Sequence, residues 1–496
     1  MILKALLACD LAVPRRAFSV SSLHFPSRRV CFSFQDSIRA FLGHPDLPFS
    51  DVLDAETIRS VFAKHRCSFG DIYKTAIVLW AFLNQILSDA KQASCQSAVA
   101  KISAYYTRHG MQAPHANTGD YCRARAKLPE AALKELGLLM GRKAQDQVEV
   151  PKRWYGRNVY IIDGFTFQMP DTEKNQKQYP QHTAQKPGLG FPIARVVTLV
   201  SLATGCVVEA ALGPYQGKDT GEAALFRSFL DFLKPGDVVV ADRHYCSYAM
   251  ICMLMERGIH VCFRNHQSKK SDFRKGKRLG KNDHCITWSR GPRPAWMTQE
   301  QYEQLPKSIT LREVRYVIEK PGRKQSPYVI ITTILETKGE KGASYGDLQD
   351  LYGFRWNIEL DIRTIKSYLN VGFLRCKSPG MIRREFWCSL LGYNLIRTTI
   401  AIAATLYRKS VRHISFTSAC QFVLAGWGDL ATCRSQTSLL AYCRQLLKRI
   451  SQCKVGDRPG RFEPRVVKRR RDQYTLMMLP RNDLRRRLKR GDNTFE

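Results

Sequence analysis

Between residues 35 and 150, apolar residues recur at three- and four-residue spacing in DSIRAFL, AETIRSVFAKH, YKTAIVLWAFLNQILSDAKQ and LPEAALKELGLLMGRKAQ. That spacing puts them on one face of a 3.6-residue helix, so the region is predicted to be all helical. At Arg157 the pattern changes to short apolar runs bounded by turn residues, which read as strands. NVYIIDG ends in Asp163, ARVVTLVSLATG and CVVEAALGPY pair around Thr204–Gly205, DVVVADR reaches Asp242, and IHVCFRN follows. Two helical patterns interleave them: DTGEAALFRSFLDFLKPG, with Asp219 or Thr220 as its cap, and SYAMICMLMERG. The predicted order is β-β-β-α-β-α-β.

The stretch 266–343 interrupts this alternation. It opens with Lys269, Lys270, Arg274, Lys275, Lys277, Arg278 and Lys281, then turns β-rich in SITLREVRYVIEK and SPYVIITTILE, and reads as an inserted β module. Helical periodicity returns in LYGFRWNIELDIRTIKSYL, residues 351–369. The predicted organisation is 1–34 as a disordered or misassigned extension, 35–150 as an all-α DNA-binding domain, and 157–265 as the first part of an α/β core. The insertion 266–343 follows, then a core helix within 344–378, a helical region 379–450 and a basic tail 451–496. The tail is expected to order on a polyanion. Residues 1–34 carry one acid, Asp10, the pairs Arg15–Arg16 and Arg28–Arg29, and several serines, a composition that also resembles an organelle presequence.

Charge narrows the function classes. With 78 Lys and Arg against 43 Asp and Glu, the chain carries +35, spread along its length. Such a surface attracts polyanions, nucleic acid first among them. A short basic ribosomal-type protein is excluded, because 496 residues at 44% hydrophobic build sizeable cores. In the helical region, TGDYCRARAKLP sets Arg123, Arg125 and Lys127 beside Tyr121, a patch able to contact DNA; an ordinary basic helix end is the alternative. The 16 cysteines show no zinc spacing, and Cys206, Cys252, Cys262 and Cys388 sit in apolar runs as reduced, buried small hydrophobes. No uncharged apolar run is long enough for a membrane helix, since Arg397 interrupts Phe386–Tyr407.

The 351–369 helix carries the most chemistry. With about 100° per residue and Tyr352 at zero, Arg355 falls near 300°, Glu359 near 340° and Lys366 near 320°. One hydroxyl, one carboxylate and two cations thus share a stripe about 60° wide, with Asp361 near 180° on the other side. A lone carboxylate among cations suits a metal ion beside a phosphate chain; a solvated face with an Arg355–Glu359 ion pair is the bland alternative. Asp163 and Asp242 stand at strand ends, where turn chemistry before Gly164 or an ion pair with Arg243 are the competing readings. Together with Glu359 they occupy the places of the three acids in a ribonuclease-H-like core. Three carboxylates suit two hard cations about 3.5–4 Å apart, which serve the attacking and leaving oxygens of a phosphodiester. Arg243 either contacts DNA or orients the Asp242 carboxylate.

The chain resembles the DDE transposases of bacterial insertion sequences, in the insertion-sequence-4 family with its Y-x₂-R-x₃-E-x₆-K signature. Tyr352, Arg355, Glu359 and Lys366 match with every spacing intact, and DGFTFQMPDT and ADRHYCSY resemble the two Asp segments. The resemblance implies cut-and-paste transposition catalysed by Asp163, Asp242 and Glu359 with two Mg²⁺ ions, Mn²⁺ substituting. It implies double-stranded DNA as partner, both the terminal inverted repeats and the target, a homodimer in the synaptic complex, and a cytoplasmic, nucleoid-associated location. It gives Tyr352, Arg355 and Lys366 a grip on phosphates near the transposon end, beside a flipped base. An aromatic of the insertion would stack on that base, with Trp288 and Trp296 as candidates and β-module core as the alternative. The competing functions are a stand-alone nuclease of this fold and a DNA-binding protein that has lost catalysis. Inverted repeats flanking the coding region would single out a mobile element.

Overall fold

The computed structural model describes residues 55–66, 75–108, 112–150, 153–317, 327–339, 342–430, 436–456 and 479–491. The expectations for residues 1–34, for the helix at DSIRAFL and for residues 457–478 of the tail lie outside them.

The N-terminal part is helical as the periodicity predicts: α1 (Ala55–Lys64), α2 (Thr75–Leu87), α3 (Cys95–Arg108), α4 (Gly119–Lys127) and α5 (Glu130–Asp146). Residues 77–83 of α2 are buried without a break, so this helix is core on every side. The core they form runs on, without a gap, into that of the sheet.

Nine strands form one sheet in the order β3-β2-β1-β4-β5-β9-β8-β7-β6. They are β1 (Val159–Gln168), β2 (Ile193–Ser201), β3 (Val207–Pro214), β4 (Val238–Ala241), β5 (His260–Arg264), β6 (Lys277–Gly280), β7 (Asp283–Ser289), β8 (Ser308–Val317) and β9 (Pro327–Thr332). β1, β4 and β5 run parallel, and the other pairings are antiparallel. The all-apolar VVVA of β4 is buried throughout, as a central parallel strand covered on both faces requires. The β-rich stretch 266–343 is continuous with this sheet rather than set apart from it, because β9 pairs with β5.

Helices cover both faces. On one side lie α6 (Glu173–Gln178), α10 (Tyr345–Gly353), α11 (Trp356–Arg363) and α12 (Pro379–Leu406); on the other lie α7 (Glu222–Arg227) and α8 (Tyr248–Glu256). The remaining helices are α9 (Gln299–Gln304), α13 (Phe416–Leu430), α14 (Gln436–Gln452) and α15 (Arg481–Lys489).

Four local expectations are corrected. β1 does not stop at Asp163 but runs to Gln168, because Gly164–Gln168 stay paired with β2. The helix expected from Asp219 or Thr220 begins at Glu222, with Gly221 as its cap. Asp219 is left-handed, at φ +58°, and the Thr220 hydroxyl donates back to the Gly217 carbonyl. That helix is also broken, a 3₁₀ turn at Leu230–Phe232 following its six residues. Part of the basic tail docks on the protein itself: Arg481 pairs with Asp171 at 3.3 Å and stacks on Phe191 at 3.9 Å.

The buried cysteines fit their sequence reading, for Cys206, Cys252, Cys262 and Cys388 are buried and unpaired. Among the described residues no helix is long and apolar enough to cross a membrane.

Candidate active site

β1 and β4 place the first two acids side by side. Their parallel register matches Val159 to Val238, Tyr160 to Val239 and Ile161 to Val240. Two residues further on, where β4 has ended, the same register sets Asp163 beside Asp242. The Gly164 N–H donates to Asp163 Oδ1 at 2.8 Å. The Asp163 carboxyl is pushed up to about 6, chiefly by burial and further by Asp242 and Glu222; the Gly164 N–H and Arg355 pull the other way. Asp242 is half-buried and is held by His244, whose N–H donates to Oδ1 and whose Nδ1 meets Oδ2, both at 2.8 Å.

The third acid arrives on α11, which packs on β1. Glu359 Oε1 accepts from Arg355 Nη2 at 2.7 Å, and the same guanidinium faces Asp163. The ion pair expected from the helical spacing is therefore present, and it lies in the corner that holds the two aspartates.

The helix is not regular, as the sequence reading assumed. α10 and α11 meet in a tight turn where Arg355, Asn357 and Ile358 each bond back three residues, and residues 364–368 form a wide π turn. Tyr352 lies before the first turn and Lys366 in the second. Tyr352 is 4% exposed, edge-on to Tyr316. Lys366 is half-buried. Asp361 points away from Glu359, as the rotation predicts, and is fully buried between Arg397 and Arg412 at 2.5 and 2.6 Å. Phe354, Trp356 and Leu360 are exposed on the same segment.

Other candidates are dispersed. Arg243 turns from Asp242 and donates to Gln267 at 2.7 Å. Of the patch on α4, Arg123 and Lys127 are exposed. Tyr121 is fully buried with its hydroxyl on Gln85, so it is corrected from a surface residue to core. Arg125 is drawn inward by a 3.0 Å bond to Gln85 and by the Phe82 ring. Trp288 is 8% exposed, in the apolar cluster with Leu305 and Ile309 and under the Lys269 ammonium, which corrects its candidacy for base stacking. Trp296 is exposed at the surface, with the Arg227 guanidinium 3.7 Å from its ring centroid.

The sequence reading passed over Glu222, which reaches the Asp163–Asp242 corner from α7. Only its place in a helix was legible; the single local signal is Gly164, where a side chain would overlap the Glu222 carboxyl.

The oxygen donors here match a hard divalent cation. Asp163 is a carboxyl destabilised as an anion by burial and by its acidic neighbours, which is what a bound cation reverses. Among the described residues no three side chains already converge closely enough to hold a metal. Glu359 would first leave Arg355.

The family described as "Transposase DDE domain" matches residues 154–395. The transposase InsG for insertion sequence element IS4 of Escherichia coli (strain K12) is 26% identical over 325 residues, 65% of this chain and 70% of that protein. The putative transposase InsZ of the same organism is 21% identical over 173 residues, 34% of this chain and 57% of its own. A piggyBac transposase synaptic complex with hairpin DNA aligns over 87% of this chain and 86% of its own at 10% identity, with a TM-score of 0.39. The match to the transposase DDE domain and the likeness to the IS4 transposase support an insertion-sequence DNA transposase of the DDE class, an enzyme that cuts DNA and transfers its strands.

Proposed function

We propose that Asp163, Asp242 and Glu359 are the catalytic carboxylates with which this transposase excises its element and inserts it at a target. The observation that carries the reading is the register that sets Asp163, inside β1, beside Asp242, just past the end of the parallel β4, with α11, which carries Glu359, packed on β1. A central β3-β2-β1-β4-β5 order with β1, β4 and β5 parallel supports a ribonuclease-H-like core. The three carboxylates would hold Mg²⁺ or Mn²⁺. Bound there, two such ions supply Lewis-acid polarisation of the phosphate and an attacking oxygen at neutral pH.

The residues divide the remaining work. Arg355 neutralises Glu359 while the site is free of DNA; when a backbone phosphate takes the guanidinium, Glu359 is released toward the two aspartates. Lys366, from the π turn, adds a second cation for the strand. Tyr352 is packed beneath Arg355 and sets its approach. Exposed Arg123 and Lys127 bind the duplex away from the chemistry, at the terminal repeats. Trp296, with a cation at its face, is the surface aromatic of the insertion that remains for stacking on an extruded base. Excision with a base flipped out relieves a sharply bent strand at a cost of a few kcal/mol. Two copies of the chain synapse the two ends, so that each supplies one set of carboxylates.

The test is cleavage of a labelled DNA carrying the element's own ends, with Mg²⁺ or Mn²⁺, wild type beside Asp163→Asn and Glu359→Gln. We expect metal-dependent nicking at the ends by the wild type, and DNA binding without nicking by both variants. Nicking by either variant at the wild-type rate would remove that residue from the triad.

A further inference from the structure

Glu222 and Tyr245 make an arrangement that the three-carboxylate reading does not use. Side chains alternate across a strand, so Gly164 faces away from Asp163, toward α7. A Cβ at Gly164 would overlap the Glu222 carboxyl, so the glycine clears the space in which that carboxyl sits. Glu222 thus flanks the aspartate pair from one face of the sheet, while Glu359 flanks it from the other. Its surroundings are Arg195, Asp242, His244 and Tyr245. Arg195 gives a hydrogen bond to the Thr220 carbonyl at 2.9 Å, and its guanidinium lies over the Tyr215 ring.

Tyr245 is the second observation. It is 1% exposed, and its buried hydroxyl meets no acceptor in good hydrogen-bond geometry although it faces Glu222, Asp163 and Asp242. Leaving a buried hydroxyl unsatisfied costs about 1–3 kcal/mol. Three carboxylates, and a buried hydroxyl turned toward Glu222 without a well-formed hydrogen bond, describe a polar corner that something positive and hydrated would complete. Glu222 sits on the face of the sheet opposite α11, so contact through a cation's waters is the role its position fits.

We propose that Glu222 is a positioning residue of the divalent-cation site, holding the cation's waters on the face opposite Glu359, with the Tyr245 hydroxyl donating to its carboxylate. The proposal rests on Asp163 and Asp242 being cation ligands. Residues that orient a metal's inner ligands and waters typically contribute 10–100-fold in affinity.

The test is a titration of the full chain with Mn²⁺ alone, following free Mn²⁺ by electron paramagnetic resonance, together with metal-free thermal melting. We expect Asp163→Asn to lose Mn²⁺ binding, Glu222→Gln to weaken it roughly tenfold at unchanged melting temperature, and Glu222→Asp to recover part of the loss. Wild-type affinity in Glu222→Gln, with binding lost in Asp163→Asn, would overturn the role of Glu222 alone. Wild-type affinity in Asp163→Asn as well would overturn the carboxylate reading and this proposal with it. Should Glu222→Gln melt early, Tyr245→Phe decides: weaker Mn²⁺ binding at wild-type melting supports the arrangement, and unchanged binding overturns it.

Discussion

A carboxyl held in a buried corner beside other acids is a liability to the fold, and Asp163 shows it. Its pKa is pushed up to about 6, first by burial and then by Asp242 and Glu222. In the unfolded chain the same group titrates near 4. Between about pH 4 and pH 6 the folded protein holds a proton that the unfolded chain has released, so stability from this group falls as pH rises. Above that window the full penalty applies, on the order of 2–3 kcal/mol. In metal-free buffer we expect Asp163→Asn to be more stable than wild type at about pH 7.5 in urea unfolding, with the advantage shrinking toward about pH 5. Equal stability at both pH values would mean that the site does not strain this carboxylate.

At the scale of elements, the helix that carries Glu359 is placed by a buried ionic anchor. Asp361, two residues after Glu359, is fully buried between Arg397 of α12 and Arg412, which also donates to the Ser201 and Leu202 carbonyls at the end of β2. The anchor therefore ties α11 to the long central helix and to the sheet at once. Removing one member of a buried pair leaves an uncompensated charge, which costs about 3–5 kcal/mol. We expect Asp361→Ala to lose that much stability in urea unfolding. A loss under about 1 kcal/mol would show that the arginines find water instead. The close fit of α5 on β3 follows a different rule. Gly141 admits the Val207 carbonyl where any side chain would collide with it, so we expect Gly141→Ala to destabilise by about 1–3 kcal/mol in the same assay.

Over the whole molecule, a charge of +35 sits on a fold whose central helices are apolar. Some of the cations are spent internally, as Arg312 on Asp283, Arg397 on Asp361 and Arg481 on Asp171 show. Each exposed cation that meets a DNA phosphate releases a counterion. If 6–10 phosphates are engaged, affinity for the element's ends falls about 10³–10⁵-fold between 50 and 200 mM salt. A shallow salt dependence in a filter-binding or anisotropy titration would confine the DNA contact to a few side chains.

Periodicity alone located α1, α2 and α5, the strand that holds Asp163, the strand that ends just before Asp242, and the opposed faces of Glu359 and Asp361, because each depends on residues close in the chain. The spacing of Tyr352, Arg355, Glu359 and Lys366 was likewise written in the order of residues. The burial of Tyr121 and Trp288 was not, since an aromatic beside cations has the same local pattern on a surface and in a core. Nor was the fusion of the β-rich stretch to the main sheet, which rests on the pairing of β9 with β5 across more than sixty residues of chain. Glu222 is the clearest case: its helix was legible, but its meeting with Asp163 depends on a glycine on a distant strand and on how α7 lies over the sheet. Local sequence sets which face a side chain takes on its own element; only the packing of elements decides which faces meet.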